Sequence, residues 1–298
     1  MKKPNFFIIG APKCGTTSMA YWLGEHPQAF LSPRKEPHFF SEISPDLKRI
    51  EDYERLFEPA SEAHHIVVDA STSYMEHAGA LEKLRAYAPE ARYMVMLRNP
   101  VEMAHSLHGQ QLWGGVETEP DFERAWRLQD QRRNKASLLF PEIGPTLLYY
   151  QRCRVGQQLN RALDLLPRER LLILFLEDVA ADPRSQYRKV LDFAGLTDDG
   201  RTSFPRENSA KIHRFPRTSR LLGRLGRLRL RLGLRRGFGI HRRFSEISRQ
   251  KISRPPLDPV FEAELYEVFR PEVELLEELT GRDLAHWKQR PERRAAAE

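Results

Sequence analysis

The stretch Gly10-Ala-Pro-Lys-Cys-Gly-Thr-Thr17 places two glycines, a lysine and two hydroxyls immediately after the apolar run Phe6–Ile9. A nucleotide-binding P-loop reads G-x-x-x-x-G-K-[ST], with the lysine directly after the second glycine. Here the glycine spacing is kept, but Thr16 stands where that lysine belongs and Lys13 sits inside the loop. A strand, a tight glycine turn and a helix N-terminus form an anion site, because unpaired backbone N–H groups and the positive helix end point at one spot. The order Phe6–Ile9, then Gly10 to Gly15 with Lys13 and Cys14 between, then Thr16-Thr17-Ser18 and a helix supplies all three parts. Taken alone, the loop reads equally well as a simple βα turn.

Two further stretches carry groups suited to chemistry. Lys35-Glu-Pro-His-Phe-Phe40 crowds a cation, a carboxylate and an imidazole together after the second short strand. Leu97-Arg-Asn-Pro100 puts Arg98 at the end of an apolar run, with Ser106 eight residues on. Arginine's planar fork holds phosphate oxygens bidentately. For Arg98 the alternative is an ion pair with a nearby carboxylate, for Ser106 an exposed helix turn, and for His38 a structural histidine.

Apolar runs alternating with amphipathic stretches are needed to position these groups, and they predict βα units around a parallel sheet. Strands are expected at Phe6–Ile9, Ala29–Leu31, Ile66–Ala70, Tyr93–Leu97 and Leu171–Leu176. Helices are expected at Thr17–Gly24, Ala78–Ala88, Pro100–His108, Asp121–Gln129, Leu147–Leu166, Arg184–Ala194 and Asp258–Thr280. Each chemical stretch then falls at the carboxyl end of a strand, where open α/β sheets bind ligands.

With 298 residues, 40% hydrophobic and 30% charged, the chain is long enough for a sizeable core and has no apolar run approaching a membrane span. Phe6–Gly10 reads as a core strand and lacks signal-peptide character. The two cysteines, Cys14 and Cys153, fit neither a disulfide scaffold nor a metal site and suggest a reducing, cytoplasmic compartment. Charge is unevenly spread. Lys211 to Arg254 holds fifteen Lys/Arg and one acid, Glu246, a net +14 against +7 for the whole chain, so the rest sums to −7. Within it, Leu221–Arg236 nearly alternates leucine and arginine.

The stretches "IGAPKCGTTSMAYWLGEHP", "KEPHFFS" and "YMVMLRNPVEMAHSLH" together resemble the sulfotransferases that use 3′-phosphoadenosine 5′-phosphosulfate (PAPS), closest to the carbohydrate, heparan sulfate type and its bacterial relatives. "LLILFLEDVAADP" and "ELTGRDLAHW" extend the likeness over most of residues 5 to 288. The resemblance implies a three-layer, P-loop-like α/β fold with a central, mainly parallel β-sheet flanked by helices. It implies PAPS as sulfuryl donor, 3′-phosphoadenosine 5′-phosphate (PAP) as product, and no metal. Lys13 would reach the bridging oxygen, the loop amides with Thr16, Thr17 and Ser18 would hold the 5′-phosphosulfate, and Arg98 and Ser106 would clamp the 3′-phosphate. Glu36 matches the family's catalytic glutamate, with His38 as second candidate and Lys35 beside the sulfonate or acceptor. Asp69-Ala-Ser-Thr-Ser-Tyr74 resembles the acceptor-side segment, so Asp69 and Tyr74 are candidate lining residues. Ala70 stands where heparan-type enzymes often carry a lysine, and Thr72 where they often carry a proline. Lys211, Arg214 and Arg217 occupy the place of a loop over the nucleotide.

One domain is expected over residues 1–288, with 211–254 as a basic, lid-like insertion and 289–298 as a disordered tail. The acceptor would be a glycan or small molecule, with no nucleic acid partner and no transmembrane segment. Two other readings stay open: a divergent P-loop nucleotide kinase or NTPase, and a protein that binds nucleic acid or anionic membrane through residues 211–254.

Overall fold

The computed structural model describes residues 2–44, 46–77, 79–133, 144–207, 211–213, 249–251 and 255–290. In chain order the elements are β1 (Phe6–Gly10), α1 (Thr16–Gly24), β2 (Ala29–Leu31), α2 (Ile50–Glu54), β3 (Ile66–Asp69), α3 (Ala80–Tyr87), β4 (Arg92–Leu97) and α4 (Pro100–Trp113). There follow α5 (Phe122–Arg127), α6 (Tyr149–Arg152), α7 (Val155–Leu165), β5 (Leu171–Phe175), α8 (Leu176–Ala181), α9 (Pro183–Ala194), β6 (Lys211–His213), β7 (Arg249–Lys251) and α10 (Pro259–Thr280).

The chain divides into two compact units. The first, Met1–Met103 with Cys153–Glu207 and Glu262–Glu298, contains a five-stranded sheet in the order β2-β3-β1-β4-β5. Every neighbouring pair is parallel. This is the parallel α/β sheet expected from the alternation of apolar runs. Successive strand residues point to opposite faces, yet all five residues of β1 are buried, so both faces of the central strand are covered. Phe6 meets Phe193 of α9 edge-on, while Phe7 stacks on Tyr93 of β4. The strand order reverses direction at β1 and β4, and ligands of such sheets bind at the carboxyl ends beside this switch.

Local chemistry sets the helix ends. Asp182 caps α9 by accepting the Ser185 N–H, Pro183 takes the first turn, and Gly195 closes it at φ +71. The stretch expected as one helix over Leu147–Leu166 is instead two, α6 and α7, separated at Cys153-Arg154. Gly156 lies so close to the backbone of α10 that a Cβ there would stand 2.6 Å from the Glu272 carbonyl oxygen. Leu176 begins α8 where a strand residue was expected, and α4 runs on to Trp113.

The second unit is Ala104–Arg152 with Asn208–Phe261. Its core joins Phe122, Tyr149 and Phe261, and the buried Glu117 is held by Arg132 at 2.7 and 2.8 Å and by the Tyr149 hydroxyl at 2.7 Å. It also contains an antiparallel pair that sequence pattern did not indicate, β6 with β7, pairing Lys211 with Lys251 and His213 with Arg249. Arg214, Arg217 and the leucine-arginine stretch Leu221–Arg236 lie outside the described residues, as do residues 291–298 of the expected tail.

Candidate functional site

The loop from Gly10 to Gly15 leaves the central strand and enters α1. Gly15 is the cap of α1 at φ +87, contributes no side-chain cap, and is followed by a first turn without acids. A Cβ on Gly15 would come 2.7 Å from Leu176 Cδ1, so both conformation and space demand glycine. Lys13 also has positive φ, +66, an uncommon conformation for a residue with a side chain. Thr16 and Ser18 are buried, and Ser18 Oγ accepts the Glu207 N–H at 3.0 Å. The helix start thus presents backbone N–H groups without a competing carboxylate.

Arg98 stands at the end of β4, beside β1. Its Nη1 donates to the Lys13 carbonyl at 3.5 Å, tying the two strand ends together. Its Nε and Nη2 reach one oxygen of Glu102 at 2.8 and 2.7 Å, so the ion-pair alternative for Arg98 is realised with Glu102. Burial pushes the Cys14 thiol up to about 12, against the pull of the Arg98 and Lys13 charges, which both act at this point of the loop. Cys14 is therefore an inert thiol in a cationic setting. Ser106 is buried on α4 and belongs to the second unit, Arg98 to the first.

At the end of β2, Lys35, Glu36 and His38 come together. Lys35 Nζ lies 2.5 Å from Glu36 Oε1, and His38 Nε2 lies 3.1 Å from Glu36 Oε2. Burial disfavours the Glu36 carboxylate, but the His38 hydrogen bond and the Lys35 ammonium outweigh it and bring its pKa down to about 2. Glu36 remains 34% exposed, so its charge can be reached from solvent.

Asp69 and Tyr74 do not line a surface. Asp69 is fully buried, and its Oδ2 accepts the hydroxyls of Tyr53 at 2.8 Å and Tyr74 at 2.7 Å, while Ser71 Oγ donates to Oδ1 at 2.6 Å. Burial raises the Asp69 pKa despite these three donors, and burial with the Asp69 charge raises both tyrosines. The Asp69–Met75 turn also touches the end of β1: Met75 N donates to Ile9 O at 3.0 Å, and a Cβ on Gly10 would stand 3.0 Å from the Met75 side chain. Sequence reasoning missed Ser41, Ser71 and Ser73, which bond to His38 across 3, 33 and 35 positions.

A glycine loop joining the central strand of a parallel sheet to a helix start, with a strand-end arginine and a paired carboxylate, gives an α/β protein of P-loop-like fold. The family model described as "Sulfotransferase domain" matches residues 3–210, and the chain belongs to that family. Carbohydrate sulfotransferase 15 of Rattus norvegicus is 27% identical over 256 residues, covering 65% of this chain and 44% of that protein. Heparan sulfate glucosamine 3-O-sulfotransferase 6 of Homo sapiens is 26% identical over 196 residues, covering 65% of this chain and 52% of that protein. The chain therefore spans about half the length of these curated relatives. Among solved structures, a sulfotransferase from Alicyclobacillus acidocaldarius superposes with a TM-score of 0.71 at 24% identity, over 97% of this chain and 100% of that one. Mouse sulfotransferase SULT7A1 complexed with PAP shares the fold with a TM-score of 0.50 at 12% identity, over 94% of this chain and 90% of that one. No helix among the described residues is long and apolar enough to cross a membrane.

Proposed function

We propose that this chain is a PAPS-dependent sulfotransferase that moves a sulfuryl group to a hydroxyl, or less readily an amine, of a carbohydrate or small-molecule acceptor. The observation that carries the reading is the convergence of Lys13 and Arg98 on the glycine loop, at a helix start that glycine alone can cap. The residues suit a polyanionic donor: Gly15 opens the cradle, the α1 amides face it, and two cations flank it. The mouse structure of like fold carries PAP, the product such a transfer leaves.

In this reading Lys13 balances the charge that grows on the 5′-phosphate oxygen as the S–O bond breaks, an interaction stronger in the transition state than in the ground state. Thr16, Thr17 and Ser18 hold the 5′-phosphosulfate with the loop amides. Arg98 holds the 3′-phosphate, and for this it must trade Glu102 for phosphate or share itself between them. Glu36 receives the acceptor proton while the acceptor oxygen bonds to sulfur and the bridging electrons stay with PAP. Support for Glu36 over His38 comes from hydrogen-bond capacity: both nitrogens of His38 are engaged, at Glu36 and Ser73, whereas the carboxylate keeps lone pairs to spare. Lys35 orients the carboxylate. The relatives' names place their own acceptors among carbohydrates, and a glycan or small molecule is the acceptor class proposed here. A cytoplasmic setting, suggested by the sparse cysteines, belongs to the same proposal.

Calorimetry with PAP and with Mg·ATP tests the donor. Micromolar PAP binding with no competing Mg·ATP affinity is the expected result; preference for Mg·ATP would return the chain to the nucleotide kinases.

A further inference from the structure

Three serine hydroxyls close on His38 from different parts of the chain. Ser71 Oγ accepts the His38 backbone N–H at 2.9 Å, Ser41 Oγ donates to the His38 carbonyl at 3.1 Å, and Ser73 Oγ lies 2.7 Å from ring Nδ1. His38 needs such holding, because its φ of +56 lies in the left-handed region that a residue with a Cβ avoids. Ser71 is aimed by Asp69: its proton goes to that carboxylate at 2.6 Å, which leaves its lone pairs for the His38 N–H. Ser41 and Ser73 are themselves 2.7 Å apart, so the ring nitrogen, two hydroxyls and the His38 carbonyl form a continuous run of hydrogen bonds.

The other ring nitrogen decides the direction of that run. Nε2 faces the ionised Glu36 carboxylate at 3.1 Å and so carries a proton. With neutral His38, the Ser73 hydroxyl then donates to Nδ1 and accepts from Ser41, whose single proton is shared between Ser73 and the His38 carbonyl. With charged His38, Nδ1–H donates to Ser73, Ser73 turns to Ser41, and Ser41 donates to the carbonyl. Neither state leaves a ring nitrogen without a partner, which matters because a polar atom out of water without a hydrogen bond is costly. The charged groups around the ring are Glu36 and Lys35 on its own loop and Asp69 from β3.

We propose that Ser73 is a positioning residue for sulfuryl transfer, fixing the His38 ring through Nδ1 so that Nε2–H holds the Glu36 carboxylate where the acceptor proton must arrive. This rests on the sulfotransferase reading and on Glu36 as base. It gives Ser73 and Ser41 a task that neither the glycine loop nor the base explains, since neither reaches Glu36 directly. Thr72, between Ser71 and Ser73, does not enter the run.

The test uses the full chain with Ser73→Ala, Ser73→Thr and Ser41→Ala, with 15N-histidine labelling and His38→Gln to identify the His38 signals. Wild type should show the Nε2–H form of His38. Ser73→Ala should mix both tautomers and lower turnover of labelled PAPS with a screened acceptor by about 10-fold or more, with PAP affinity within about twofold of wild type. Ser73→Thr should restore both readouts. An unmoved tautomer with turnover within about twofold in Ser73→Ala overturns the role of Ser73 while leaving the sulfotransferase reading intact. Absent PAP binding by wild type instead overturns the parent reading. If Ser73→Ala does not fold, Ser41→Ala decides: a shift in the His38 signals with slowed turnover supports the hydroxyl run, and none overturns it.

Discussion

His38 Nε2 and Glu36 Oε2 lie 3.1 Å apart in the loop after β2, and the opposite carboxylate oxygen is taken by Lys35 at 2.5 Å. The carboxylate is thus gripped at both ends by donors of its own hexapeptide, and burial, which would favour the neutral acid, is overcome. A carboxylate with a pKa of about 2 has little proton affinity of its own. What the arrangement supplies is a carboxylate ionised at neutral pH and fixed in direction; in the proposed reading it accepts the proton only as the new O–S bond forms.

Replacing Glu36 by Gln keeps the size of the side chain but removes the proton acceptor and turns one of its two accepting oxygens into an NH2 donor. Turnover should fall by about 100-fold or more, within the range of a lost general base. PAP affinity, measured by calorimetry, should stay within about twofold, because no loop contact involves Glu36. Equal loss of both quantities would mean that Glu36 organises the donor site instead.

The depressed pKa of Glu36 also predicts a pH dependence of stability. A carboxyl held below its unfolded value binds its proton more readily in the unfolded chain, so it stabilises the fold at higher pH. The Glu36 contribution should be complete above its ordinary value of 4.5 and disappear as the pH falls through about 2. The difference in urea midpoint between wild type and Glu36→Gln should therefore shrink across that window, reduced in size throughout by the partial exposure of the pair. Using the difference between the two proteins removes the other carboxylates held low by partners, among them Asp178 and Glu177.

Gly15→Ala should damage the phosphate loop for two separable reasons. The added methyl would stand 2.7 Å from Leu176 Cδ1, and φ +87 is strained for alanine. A cost of about 1–3 kcal/mol is expected from the backbone alone, with PAP binding reduced by about 10-fold or more as the amides turn away. Adding Leu176→Ala relieves only the contact, so the double variant should recover stability in part and binding hardly at all.

Much of this architecture could be read from the chain and some could not. The five strands of the parallel sheet were legible because each is a short apolar run bounded by polar residues, and the loop because glycine at 15 is one a backbone at φ +87 requires. The cluster of Lys35, Glu36 and His38 was legible because its members are neighbours in sequence. Its supports were not: Ser71 and Ser73 reach His38 from over thirty positions away, and a serine in a turn has no periodicity to reveal its partner. Asp69 and Tyr74 looked available for an acceptor because both are polar, yet Tyr53 from α2 joins them under cover. The break between α6 and α7 at Cys153-Arg154 was hidden because the apolar spacing continues across it.

The C-terminal turn predicts a stability effect that salt should modulate. Arg282 is bidentate toward Asp178, also reaches Glu177 at 2.8 Å, and lies over the Phe175 ring at 4.1 Å. Trp287 Nε1 donates to the same Glu177 at 3.0 Å, so the turn is fastened to the junction of β5 and α8. Because these partners are about a third exposed, Arg282→Ala should cost on the order of 1 kcal/mol and not the value of a buried pair. Arg282→Lys should recover less than half, lacking the planar fork. The deficit, read from urea midpoints, should narrow as ionic strength rises to about 1 M.

The most discriminating prediction concerns Arg98. In the proposed reading its guanidinium serves the 3′-phosphate, while the structure also shows it bound to Glu102 through Nε and Nη2. Arg98→Ala should therefore weaken PAP by about 10-fold or more while leaving adenosine 5′-phosphate, which lacks the 3′ group, nearly unchanged. Arg98→Lys should keep part of the charge effect and lose the bidentate grip. Glu102→Gln removes the competing carboxylate and should leave PAP affinity equal or tighter, because Arg98 no longer has to give up an ion pair to bind phosphate. If Arg98→Ala weakens both nucleotides alike, its bond to the Lys13 carbonyl is the function that matters, and the arginine acts by shaping the loop. If it weakens neither, Arg98 and Glu102 are a helix-start ion pair, and the 3′-phosphate is recognised elsewhere in the chain.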